Sequence, residues 1–75
     1  MEKGIHLILC DIVTKRVYEV QFDINLSLSE NMELFCEMAN ISLPLFFYKK
    51  SGEYLDMNVA LKDLDLFEHS YLSFF

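Results

Sequence analysis

The stretch LKDLDLFEHSYLSFF, residues 61–75, decides how the rest of the chain is read. Leu61 and Leu64 lie at the spacing of a single helical turn around Val59 to Leu64, with Leu66 just beyond. Glu68-His69-Ser70 then interrupts the pattern, and Tyr71 to Phe75 has the composition of a closing β-strand. Successive side chains of a strand point to opposite faces. Leu72 and Phe74 therefore share a core face, while Ser73 and Phe75 share the other. Burying a ring such as that of Phe74 is worth ~1.5–3 kcal/mol. A core face on the last strand requires other strands and a covering helix earlier in the chain.

Those elements are present. IHLILC (5–10) and VYEVQF (17–22) are rich in branched and aromatic residues and flank the polar-ended loop DIVTKR. They read as a β-hairpin with Leu7, Leu9, Tyr18, Val20 and Phe22 on the buried face. Ser27, followed three residues later by Glu30, forms a capping box; Ser29 is a second candidate cap. The spacing of Leu28, Met32, Phe35 and Ala39 predicts a helix, and Leu34, Cys36 and Met38 widen its apolar sector. Glu30, Asn31, Glu33, Glu37 and Asn40 make its wet side, and Asn40 with Pro44 ends it. So wide a sector implies a helix set deep against a sheet, or one that also meets a partner. LFFYKKSGEYLD (45–56) is a second hairpin, with Gly52 supplying a positive φ at its turn.

The 75 residues are expected to form a single domain, 1–75, near the lower size limit for folding without a staple. A hydrophobic content of 53%, with 2 Gly and 1 Pro, argues against disorder. The net charge of −6, and basic pairs only at Lys15-Arg16 and Lys49-Lys50, disfavour nucleic acid and an anionic membrane as partners. No apolar run approaches a membrane span, and the N-terminal segment has no signal cleavage site, so no membrane insertion and a cytoplasmic location are expected. Cys10 and Cys36 are expected to be reduced and packed as small hydrophobes.

The order strand, strand, helix, strand, short strand, helical turn, strand resembles the β-grasp of ubiquitin-like proteins. Leu61, Asp63, Leu66, Ser70, Leu72 and Phe74 match that family's closing pattern L-x-D-x-x-[IL]-x-x-x-[ST]-x-[LI]-x-[LIVF]. The resemblance implies an α+β fold: ββαββ plus a short helical turn, with a mixed four- or five-stranded sheet packed on one helix. It also implies that Leu61 and the later apolar residue anchor the turn beneath the sheet. Conjugated and sulfur-carrying members end in a flexible Gly-Gly tail, whereas this chain stops at Phe74-Phe75, so a non-conjugating protein is expected. A modifier whose tail lies beyond Phe75 is the alternative. The run VYEVQFDINLSLSENMELFCEMANIS (17–42) is similar, without a gap, to the YukD/EsaB-type proteins of type VII (WXG100) secretion systems. That likeness implies a cytoplasmic accessory or regulator of the secretion machinery.

No enzyme site, cofactor or metal is expected. His6 and Cys10 lie on one strand face too far apart to share a metal, and Cys36 sits in an apolar sector where a thiol is inert. What remains is a protein-binding surface on the sheet face away from the helix. His6, Ile8, Val17, Glu19, Gln21, Ser73 and Phe75 fall there, with one of Phe46 and Phe47, since LFFY is apolar at both parities. We take Phe47 as the outward one. The candidate site is then His6, Ile8, Val17, Phe47, Ser73 and Phe75, with a protein partner or a second copy of the chain as its occupant.

Overall fold

A computed structural model describes residues 4–75. Strands β1 (Gly4–Asp11) and β2 (Val17–Asp23) form the first hairpin, followed by helix α1 (Leu28–Ala39), β3 (Phe47–Lys49), β4 (Tyr54–Leu55), a 3-10 turn (Leu61–Asp63) and β5 (Ser70–Phe74). They build one five-stranded sheet in the order β2-β1-β5-β3-β4. β1 and β5 run parallel at its centre and the other pairings are antiparallel, so the sheet is mixed.

The alternation read from the sequence sets the layers. Leu7, Leu9, Val20, Phe22, Leu72 and Phe74 turn toward α1 and are buried with Leu28, Met32 and Cys36 of the helix. Tyr18 and Phe35 pack edge to face at the margin of this core, with ring centroids 5.3 Å apart. The helix begins where the capping box placed it. The Ser27 hydroxyl accepts from the Glu30 N–H at 3.1 Å, and the Glu30 carboxylate accepts from the Ser27 N–H at 3.0 Å. It ends at Asn40, whose φ of 58° is left-handed and whose N–H donates to the Cys36 carbonyl. Gly52, at φ 94°, turns the second hairpin as expected. Leu61 is buried and Leu66 packs against the core. The Leu61 and Lys62 N–H groups donate to the Leu26 and Ile24 carbonyls, fastening the 3-10 turn to the connection between β2 and α1.

Three placements differ from the sequence reading. Phe47 is not on the outer face; it is fully buried, and Phe46 is the outward ring at 41% exposure. Register decides this. Phe47 stands directly opposite Phe74 on β5 and Leu55 on β4, and residues directly opposite in a ladder project to the same face. Because Phe74 belongs to the core, Phe47 must join it, and their rings lie 5.5 Å apart. Asn31 is buried rather than wet, because its side-chain amide is committed to backbone groups of the β2–α1 connection. Leu34 and Met38 do not widen the buried sector; they are 60% and 85% exposed.

Candidate protein-binding face

Among the described residues, no helix or strand covers the sheet face away from α1. Its outward side chains follow from the register: Val17 beside Cys10, Cys10 beside Ser73, Ser73 beside Tyr48 and Tyr48 beside Tyr54 form a row across all five strands. Ile8 sits in the next row between Glu19 and Tyr71. His6 lies beyond it, opposite Gln21.

The candidate residues therefore separate. Phe75 is about half exposed and lies level with the far end of β1, roughly 13 Å along the strands from Ile8 at the rise of an extended chain. Ile8 is half-buried, Val17 is exposed and Ser73 is half-buried between its neighbours. Phe47 lies outside the site altogether. In its place the geometry gathers around Phe75 the other ring of the pair, Phe46, and two residues that sequence reasoning had not put forward, Tyr48 and Tyr54. The Phe75 ring stacks on Tyr48 at 5.8 Å with an interplanar angle of 3°, and tilts against Phe46 at 5.7 Å. Tyr54 meets both Tyr48 and Phe46 edge to face, at 6.0 and 6.4 Å. Four aromatic rings thus form one connected cluster at the β3–β4–β5 end of the open face. Its position is held by backbone: the Leu45 and Phe46 N–H groups both donate to the Phe75 carbonyl, and the Phe75 N–H donates to the Phe46 carbonyl. The missed signal was the period-two step from Phe46 to Tyr48, concealed because Phe47 between them is equally apolar.

No protein-family model and no curated protein sequence matches the chain. Solved structures do. The chain is similar to the ubiquitin-like domain of an Arabidopsis thaliana protein, at 18% identity and a TM-score of 0.77, covering 99% of this chain and 78% of that one. It is similar to the UBL domain of yeast Ddi1, at 18% identity and a TM-score of 0.72, covering 99% and 90%. A protein solved as a case of molecular mimicry of SUMO that promotes DNA repair gives 18% identity and a TM-score of 0.81, covering 100% and 94%. The fold is ubiquitin-like.

At the opposite end of this ubiquitin-like sheet, His6 and Glu68 meet across the chain. The Glu68 carboxylate accepts from the His6 N–H at 2.7 Å, and the His6 Nδ1 stands 3.0 Å from its other oxygen. His69, in the left-handed region at φ 64°, stacks its ring on His6 at 5.7 Å and donates its N–H to the His6 carbonyl. The His6 ring and N–H bonds hold the Glu68 carboxyl below the usual range. This arrangement joins the loop before β5 to the start of β1. Among the described residues, no group of three or more His, Cys, Asp or Glu is placed to hold a metal ion. Burial pushes the Cys36 thiol up, away from the thiolate that nucleophilic chemistry needs. Both cysteines are free, and the Cys36 Sγ lies 3.6 Å from the Ser42 carbonyl. Among the described residues no helix is long and apolar enough to cross a membrane.

Proposed function

We propose that this chain is a non-catalytic protein-interaction module that engages a protein partner through the open sheet face, centred on Phe46, Tyr48, Tyr54 and Phe75. The observation that carries it is the aromatic cluster itself: three of its four rings are 41% to 55% exposed while in contact with one another. Rings already ordered by mutual packing lose little side-chain freedom when a partner covers them, and they present a large apolar area with Tyr hydroxyls at its margin. Buried aromatics of this kind dominate interface energetics. The ubiquitin-like fold supports the reading, since its free-standing domains serve as recognition modules.

The test is capture of partners from the source organism by tagged wild-type protein and by a Tyr54→Asp/Phe75→Asp variant whose fold is checked by circular dichroism. Loss of specific capture is expected; equal capture by the folded variant overturns the proposal. A second copy of the chain is the alternative occupant of the same cluster. A concentration-dependent dimer in sedimentation, abolished by the same substitutions, would establish it.

The finer proposal is a cytoplasmic accessory or regulatory component of a bacterial type VII secretion system. Its support is the ungapped apolar spacing of residues 17–42. Neighbouring genes for WXG100 substrates and a membrane ATPase are the expected observation, and a source genome lacking both refutes it.

A further inference from the structure

β1 and β5 run parallel and β3 runs against them, so one pole of the sheet gathers the ends of β1 and β5 with the starts of β2 and β3. Two loops bracket the end of β5 there. The Phe74 carbonyl accepts from the Ile12 N–H at 3.0 Å, and the Phe75 carbonyl accepts from the Leu45 N–H at 3.0 Å. Because β1 and β3 flank β5, the loops lie roughly 10 Å apart, two strand spacings. Both are apolar and wet. Val13 is 76% exposed and Leu45 74%, and Ile12 and Leu43 are exposed beside them in the chain.

The first of these loops has a closed backbone. Every N–H from Asp11 to Arg16 finds an acceptor within the chain. Asp11 donates to the Arg16 carbonyl and Lys15 to the Asp11 carbonyl, both at 2.8 Å, and Ile12 donates to Phe74. The Asp11 carboxylate accepts from the Val13 and Thr14 N–H groups, and the Thr14 hydroxyl accepts from Arg16. A loop in water has no need of such closure, since solvent serves its N–H groups; an apolar surrounding makes it obligatory. The charges are also unevenly placed. Lys15 and Arg16 balance Asp11 and Glu37 at this pole, so the whole net charge of −6 belongs to the rest of the chain. Asp23, Glu30, Asp63 and Glu68 lie at the opposite pole, where β2 ends, α1 begins and His6 meets the loop before β5. An anionic surface therefore repels the rest of the molecule and turns this pole toward itself.

We propose that this pole docks on an anionic phospholipid membrane, lying on the bilayer without spanning it. Val13 and Leu45 enter the boundary between headgroups and acyl chains, and Lys15 and Arg16 reach the lipid phosphates from the same loop. Two apolar tips separated by the width of β5 suit a fluid bilayer, which receives them at any spacing. A protein would have to offer two matched pockets. The net charge speaks against an anionic membrane only while the chain is taken as a whole; the fold separates that charge from the apolar loops.

The test uses unilamellar vesicles of phosphatidylcholine and phosphatidylglycerol, with flotation as the binding measure. A second set carries a nitroxide on the acyl chain and is mixed with 15N-labelled protein. Expected are flotation that declines with added salt, and nitroxide broadening strongest at Ile12, Val13 and Leu45 and weakest around His6 and Glu68. Val13→Ser/Leu45→Ser, at exposed positions, should weaken flotation roughly tenfold or more while leaving the melting temperature in place. Lys15→Gln/Arg16→Gln should weaken it roughly thirtyfold at low salt. No flotation at millimolar lipid, equal flotation on phosphatidylcholine alone, or indifference to the serine pair overturns the inference. Broadening centred on Tyr48 and Tyr54 also overturns it, because the sheet face rather than the pole would then lie on lipid. So does a dimer, abolished by Val13→Ser/Leu45→Ser, in protein that does not float; the pole would then be a contact between copies.

Discussion

Replacing Phe47 with alanine removes a ring wholly shielded from water, whereas the same change at Phe46 removes one that is 41% exposed. A buried Phe→Ala substitution costs about 3–5 kcal/mol, combining lost transfer energy with the cavity left against neighbours that relax only partly. For Phe47 those neighbours include Phe74 and Leu55, held in register on both sides. A domain of 75 residues has a total stability of about 4–11 kcal/mol, so the loss consumes much of it. At about 4–8 °C per kcal/mol, the melting temperature should fall by roughly 12–40 °C. Phe46→Ala forfeits its contacts with Phe75 and Tyr54 but leaves no closed cavity, for a cost of about 1 kcal/mol. Guanidinium unfolding followed by circular dichroism measures both. Should Phe47→Ala fail to fold, Phe47→Leu keeps most of the volume and should cost about 1–1.5 kcal/mol. Equal losses at the two positions, or a larger loss at Phe46, would refute the register argument and the outward face built on it.

Asn31→Ala strips partners from the Asp23 N–H and from the Asp23 and Ser27 carbonyls, and should cost about 1–3 kcal/mol in denaturant unfolding, with Asp23 amide exchange accelerated. Ser27→Ala removes one half of the capping box and should cost about 1 kcal/mol, with Ser27→Thr retaining most of it. Glu68 gives a pH signature. Its folded pKa is lowered, so its contribution is fully present above its ordinary value of 4.5 and is lost as pH falls through the lowered folded value. Glu68→Gln should therefore flatten the acid limb of the stability profile; an acid limb identical to wild type contradicts the His6–Glu68 linkage.

The hairpin, helix and closing strand were legible because each buries one face and so carries its period openly. Val17 to Phe22 alternates, Ser27 and Glu30 announce the helix start, and Leu72 and Phe74 declare the inward parity of β5. Among the candidate site residues, Val17 and Phe75 stand exposed on the expected face. His6 and Ile8 fall at the other end of the sheet, and Ser73 is half-buried between Cys10 and Tyr48. The aromatic cluster escaped because its members lie on or just beside three strands whose relative register has no local signature. Tyr54, on a two-residue strand, offers no alternation to read.

Local pattern alone therefore determines the element order, the capping box, the left-handed turns at Asn40 and Gly52, and the core faces of β1, β2 and β5. Those depend on neighbours a few residues away, whose spacing the chain carries in itself. Which of two adjacent phenylalanines faces water was decided only when β3 paired with β5 and β4, because a run apolar at both parities fits either way until a partner strand imposes register. The same holds for Asn31 and for Leu34 and Met38. A polar residue goes inside when backbone groups await it, and apolar residues stay outside when the strand edge beside them has no further strand to cover them. Both outcomes rest on groups that come together only in the folded sheet.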